Sequence, residues 1–176
     1  MTSNSSIQTG GFHMRKTARI IIICMAALAV VMIVQSATAQ GKIEGVWKAT
    51  EASMSGPNGF KNTNLQPNLF IFTKKHFSTV AVTGDKPRPV QPLEKATDAQ
   101  KAAAWEGFEA WAGTYEVKGT TLTTHDAIAK DPADMQPGCF GSFDFKFEGN
   151  TLILILKAEE TGPLPNPITY KLVRVE

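Results

Sequence analysis

After the first forty residues, the chain carries two histidines, His76 and His125, and one cysteine, Cys139. An imidazole titrates near neutral pH and serves as an acid, a base or a hydrogen-bond donor. His125 is the candidate for that role, with Asp144 or Glu116 as a carboxylate partner. The adjacent Asp126 is poorly placed for a dyad, because neighbouring side chains on a strand point to opposite faces unless a bulge intervenes. A histidine hydrogen-bonded at a strand end is the plainer reading of the same residue. His76 follows a turn and reads as solvent-exposed. Cys139 stands in Pro-Gly-Cys-Phe-Gly with no base nearby to lower its pKa, so it reads as a buried, inert thiol rather than a nucleophile or redox sensor. Close-spaced metal-ligand pairs are absent, as are a P-loop, H-E-x-x-H, a nucleophile elbow and a dinucleotide fingerprint. No metal and no cofactor is expected.

The aromatic residues suggest binding more than catalysis. Phe70, Phe72, Phe77, Phe143, Phe145, Phe147, Tyr115 and Tyr170 are enough to line a cavity. They are equally enough to fill a small barrel core, since an eight-stranded barrel does either.

The elements that must position these residues are mostly strands. Gly45-Val46-Trp47 opens a strand running to about Met54. A turn-rich loop follows, then a hairpin through Leu69-Phe70-Ile71-Phe72 and His76–Val82, reversing at Lys74-Lys75. Proline-rich residues 84–92 form a crossing. Thr97-Asp98-Ala99-Gln100 has the T-x-x-Q form of a capping box. The spacing of Lys101, Trp105, Phe108 and Ala112 predicts a helix over about 97–112, with Trp105, Phe108 and Trp111 on one aromatic face and Gly113 as its stop. Tyr115-Glu116-Val117 and a strand ending at His125 make the next hairpin, turning at Lys118-Gly119-Thr120. Phe143, Phe145 and Phe147 alternate with Asp144, Lys146 and Glu148, as on a strand with one wet face. Gly149-Asn150 reverses it into a strand apolar on both faces, expected to be central or covered. Residues 161–167 read as a proline-rich loop, and a last strand closes the domain.

The N-terminus reads as a targeting segment. Arg15, Lys16 and Arg19 precede an uncharged apolar run over 20–34, and Ser36-Ala37-Thr38-Ala39 supplies an A-x-A site. The run is shorter than the roughly 20 residues of a spanning helix. Cys24 lacks a lipobox around it. Cleavage is expected after Ala39, giving an exported periplasmic or extracellular protein, with residues 1–13 read as an upstream start. The domain boundaries are thus 1–39 and 40–176. Of the 18 Lys and Arg, three precede residue 40, leaving 15 against 16 Asp and Glu. That balance offers no concentrated basic face for nucleic acid. No membrane association is expected after cleavage. A single cysteine after residue 40 permits no internal disulfide, so packing must hold the domain.

These motifs are similar to those of the bacterial and fungal lipocalin-like proteins. Gly45-Val46-Trp47 matches the G-x-W of lipocalins. A-G-T-Y-E-V followed by T-T-H resembles that group's Y-x-G-x-Y-x-V…V-x-H, with Trp111 replacing the first aromatic. The loop over 55–68 lacks the usual Tyr-Gly. The resemblance covers residues 43–175 and implies an antiparallel up-and-down calycin-type β-barrel around an apolar cavity. It also implies a barrel floor closed by Trp47 beneath Arg174, a pair that cation–π attraction favours.

The leading functional expectation is a secreted protein that binds a small apolar or amphipathic molecule, with Tyr115, His125, Phe143, Phe145 and Tyr170 at the ligand. A barrel isomerase or hydrolase using His125 with a carboxylate is the second. A filled-barrel structural or interaction module is the third.

Overall fold

The computed structural model describes residues 41–84, 86–88, 92–159 and 161–176. The expected targeting segment lies outside them. The strands are β1 (Gly45–Met54), β2 (Phe60–Asn62), β3 (Asn68–Phe72), β4 (His76–Val82), β5 (Phe108–Lys118), β6 (Thr121–Ala129), β7 (Gly141–Glu148), β8 (Thr151–Glu159) and β9 (Gly162–Arg174), and the helix between β4 and β5 is α1 (Asp98–Glu106). Their order in the sheet is β2-β1-β3-β4-β5-β6-β7-β8-β9, and β1 also pairs with β9. Eight strands therefore close an antiparallel barrel, while β2 is a short flap on β1. This closure is compatible with a calycin barrel.

β1 serves two neighbours on one edge. Gly45, Val46 and Trp47 pair with Phe72, Ile71 and Phe70 of β3, whereas Ala52, Ser53 and Met54 pair with the flap. Between them the register with β9 shifts at Ala49/Glu51. There the Asn68 side chain stands in for a strand residue. Its Oδ1 accepts the Ala49 N–H at 2.7 Å and its Nδ2 donates to the Ala49 carbonyl at 3.2 Å. A carboxamide has the donor and acceptor of a peptide group and so fills both vacancies.

The barrel floor is a knot of side chains on backbone. Trp47 is 1 % exposed, and its Nε1 donates to the Ile43 carbonyl at 2.7 Å. The Arg174 guanidinium lies over the indole at 4.2 Å from its centre. Its Nη1 donates to the Glu44 carbonyl at 2.7 Å and its Nη2 to the Lys42 carbonyl at 2.6 Å. A β-carbon at Gly45 (φ 136°) would overlap that guanidinium, so glycine is required at this position.

The helix is real but shorter than its spacing predicts. Thr97 caps it, with its side chain and that of Gln100 satisfying each other's backbone amides. It ends at Gly107, not Gly113. Residues 108–112 run instead as strand, pairing with Val82–Ser78 of β4 and, at Trp111 and Ala112, with β6. A closed barrel needs both edges of each strand hydrogen-bonded, and that pairing outweighs a weak local helical pattern. The expected aromatic face is thereby broken up. Trp105 stays on the exposed helix, Phe108 lies beneath Arg88 (5.3 Å to its ring centre), and Trp111 turns inward. Gly113 faces a bulge in β6, where Ala127 is the extra residue, and a β-carbon on this glycine would collide with the His125 carbonyl.

The proline-rich 161–167 stretch is also strand from Gly162 onward, not loop. Pro163, Pro165 and Pro167 are exposed and alternate with the half-buried Leu164, Asn166 and Ile168. β1 pairs with β9 only from Ile168 onward, so the prolines occupy an open edge where their missing N–H costs no ladder bond. β8 is central, as its double apolar pattern requires. Its outer residue Ile153, 4 % exposed, pairs in register with Lys146 and Lys171, a type of neighbour whose aliphatic stem covers apolar surface.

Candidate functional site

Period-two alternation sends one side of each strand inward, and the interior divides into two halves. The lower half is solid. Ile43, Trp47, Tyr115, Phe145, Leu152 and Leu172 are buried there, with Phe147 packed against them. Tyr115 O–H donates to the Thr73 carbonyl at 2.6 Å and meets the Phe72 ring edge-on at 5.4 Å.

The upper half is hollow, with a cavity of about 540 Å³. Its base is Phe72, Phe77, Leu122 and Leu154, which also belong to the core. Phe70, Trp111, Phe143, Leu156, Ile168 and Tyr170 form the wall. The loop and flap residues Phe60, Asn62, Leu65 and Gln66 close the side where β1 and β3 part. The other splay lies between β6 and β7, which pair only through Thr121–Thr124 and Gly141–Asp144. Beyond that point the 3-10 turn Pro132–Met135, capped by Asp131, packs on β6.

Polar groups are few and specifically located. Thr79, on the inward face of β4, is 7 % exposed and lines the cavity. Thr124 Oγ1 lies 3.4 Å from the Gly141 carbonyl. Tyr170 stacks at a tilt beside Phe70. Burial, assisted by the negative charges of Glu159 and Glu109, raises its pKa above the usual 10.0, so it is a neutral donor at any physiological pH. Glu109, Asp126, Asp134 and Glu159 line the upper rim. Glu109 pairs with Lys130 at 3.4 Å, and Asp134 Oδ2 accepts the Trp111 Nε1–H at 3.3 Å.

No protein-family model matches this chain, and no curated protein shows significant similarity to it. The site must therefore be read from its own geometry.

Of the five residues expected at a ligand, Phe143 and Tyr170 line the cavity. Tyr115 and Phe145 lie below it in the filled half. His125 lies outside: its ring is exposed on the outer face of β6, and Nδ1 meets the Cys139 carbonyl at 3.4 Å. The bulge in β6 falls at Ala127, beyond His125, and leaves the alternation of Leu122, Thr124 and Asp126 inward intact. The two candidate carboxylate partners of His125 are engaged elsewhere. Asp144 engages Lys157 and Thr121, and Glu116 pairs with Lys118 at 2.9 Å. Cys139 is a free, half-buried thiol at the rim, its Sγ 3.3 Å from the Ala133 carbonyl. Among the described residues no cluster of His, Cys, Asp and Glu has the grouping of a metal site.

Thr79 and the four rim carboxylates escaped sequence reasoning. Alternation counted from Leu122, an obvious core residue, carries the signal for Asp126. The same count from Phe77 reaches Thr79. Asp134 and Glu159 reach the rim through tertiary folding of a loop and a strand end, and nothing local in the sequence marks them.

Proposed function

We propose that this protein is an exported carrier that holds one small apolar or amphipathic molecule in the upper half of its barrel. The observation that carries this reading is the division of the interior. A fully packed lower half supplies stability, and above it an aromatic-walled cavity of about 540 Å³ is left open. That volume is within the roughly 300–1,000 Å³ usual for small-molecule sites. Burial of apolar ligand surface supplies the affinity, and the few polar groups set orientation. Export is supported by the basic, apolar and small-residue pattern of residues 15–39. The lipocalin-like motifs around Trp47 and Tyr115 agree with this reading.

Titration of the mature protein with the neutral fluorophore N-phenylnaphthylamine tests it. Saturation at one probe per chain is expected. Ala81 lies on the inward face of β4 and lines the cavity, so Ala81→Phe should weaken binding by about tenfold or more, equivalent to roughly 1.4 kcal/mol. Absence of saturable binding, or equal affinity in the filled variant, would overturn the proposal. Native mass spectrometry of protein purified from its own source would then identify the ligand class.

A further inference from the structure

We infer that the molecule held in this cavity is built on a flat, conjugated ring system rather than on an acyl chain or a saturated polycycle. The inference rests on the carrier reading above and narrows it to a ligand class. Four aromatic side chains line the cavity from alternate strands of the closed sheet: Phe70 on β3, Trp111 on β5, Phe143 on β7 and Tyr170 on β9. In that ring of strands β3 lies across from β7, and β5 across from β9. The wall therefore presents aromatic surface from opposite sides of the barrel. Phe70 and Trp111 stand in register on either side of Thr79, and Ala52 lies in register beside Tyr170. Small residues on the intervening strands β4 and β1 thus leave the rings room at the cavity.

The rings of the two halves differ in what they touch. At and below the cavity base, Trp47 and Phe145 both pack on Phe147, and Tyr115 meets Phe72. Around the cavity Phe70 and Tyr170 tilt toward each other at 6.2 Å. Among the described residues Trp111 and Phe143 have no ring neighbour. All four wall rings are only partly buried, so aromatic surface is left open to the cavity. Two of them are also held in place. Trp111 Nε1–H donates to Asp134 Oδ2 at 3.3 Å, which sets the orientation of the indole. The Phe143 ring leans along its own strand over Gly141, where a β-carbon would stand 3.0 Å from its Cε2. Glycine at 141 lets this ring lie back against the wall.

Ring shape then discriminates among molecules of equal carbon count. Aromatic rings attract one another beyond area burial when offset-stacked or edge-to-face, with centres about 4.5–7 Å apart. A flat conjugated ligand offers such a face to the rings on both sides of the barrel. A saturated ring is thicker and has no π face, and a flexible chain also gives up rotamer freedom on binding. Apolar burial alone ranks ligands by area and gives the aromatic compound no advantage.

Equilibrium dialysis of the full mature protein against 2-naphthalenemethanol, decahydro-2-naphthalenemethanol and 1-undecanol separates the possibilities. The three share one carbon count and one aliphatic hydroxyl, and the naphthyl alcohol has the least apolar surface. It should nevertheless bind about tenfold tighter than its decahydro counterpart, equivalent to roughly 1.4 kcal/mol, and tighter than undecanol. Phe143→Leu keeps an apolar wall but removes the ring, and should cut the naphthyl preference by about threefold or more. Gly141→Ala should cut it as well, by pushing the same ring off the wall. Should Phe143→Leu fail to fold, the ranking in the parent and in Gly141→Ala decides. Binding of the decahydro alcohol or of undecanol as tight as the naphthyl alcohol would overturn the ring inference and leave the carrier reading standing. A naphthyl preference unchanged in every folded variant would do the same. Failure of all three to bind would overturn both.

Discussion

The Arg174 guanidinium stacks on the Trp47 indole at 4.2 Å while donating to the carbonyls of Lys42 and Glu44. One side chain thus ties the end of the last strand to the segment that leads into the first. Stacking at a partly exposed site is worth about 0.5–1 kcal/mol, and each charge-assisted hydrogen bond about 1.5 kcal/mol or more. Arg174→Ala should therefore cost about 2–4 kcal/mol. Arg174→Lys should recover only part of this, because an ammonium cannot span two carbonyls while lying flat on an indole. Urea unfolding of the three proteins checks the order. A lysine variant as stable as the parent would reduce the interaction to simple charge.

A second test concerns where the helix ends. A β-carbon at Gly113 would run into the backbone at His125, whereas one at Gly107 would meet nothing closer than Ala103 O at 3.6 Å, and Gly107 has φ −81°. Gly113→Ala should destabilise by about 1–3 kcal/mol through overpacking against rigid backbone. Gly107→Ala should stay within about 0.5 kcal/mol of the parent, as an alanine costs little at an unstrained cap. The reverse ranking would mean that the helix continues to residue 112.

Much of the fold is legible in the sequence, and the departures have causes distant along the chain. The hairpin reversals at 74–75, 119–120 and 149–150, the capping box at Thr97 and the strand alternation around Phe145 all depend on residues within a few positions of one another. Residues 108–112 and 163–167 depart from their local pattern because their conformation is decided elsewhere. β4 and β6 impose strand on the first, and the unpaired edge of β9 tolerates prolines in the second. The site follows the same rule. Residue type points to Phe143 and Tyr170, which line the cavity, whereas the chemistry of His125 points inward although the alternation from Leu122 sends it out. No local pattern could show that the barrel is packed below and open above.

Asn68 supports the parting of β1 from β3, and its removal should be costly for a part-buried surface residue. Both the N–H and the carbonyl of Ala49 bond to its amide. Asn68→Ala leaves both to find water at a crowded bulge, which costs about 1–3 kcal/mol for each group left unsatisfied. Asn68→Asp keeps the acceptor, loses the donor and should fall between. Hydrogen exchange at Ala49 supplies the specific readout: its protection should drop in Asn68→Ala more than protection in β5 or β8. Unchanged exchange at Ala49 would assign the amide a purely steric role.

Tyr170 provides a pH-dependent signature of the cavity wall. Its folded-state pKa is raised above 10.0, chiefly by burial and then by the charges of Glu159 and Glu109. In the unfolded chain the hydroxyl ionises near the ordinary value, so above it the unfolded state sheds a proton that the folded state keeps. Stability is therefore fully present below about pH 10 and is lost as pH rises toward the folded value. Lysine titration also destabilises proteins in this range, but it is common to the parent and to Tyr170→Phe. The difference between their urea midpoints should stay constant up to about pH 10 and then move in favour of the phenylalanine variant. A neutral ligand that fills the cavity and excludes water from the ring should widen that gap. Parallel curves through pH 11 or so would mean that the hydroxyl is as well hydrated in the folded protein as in the unfolded chain, and that the upper cavity is an open, wet cleft rather than a receptacle for apolar surface.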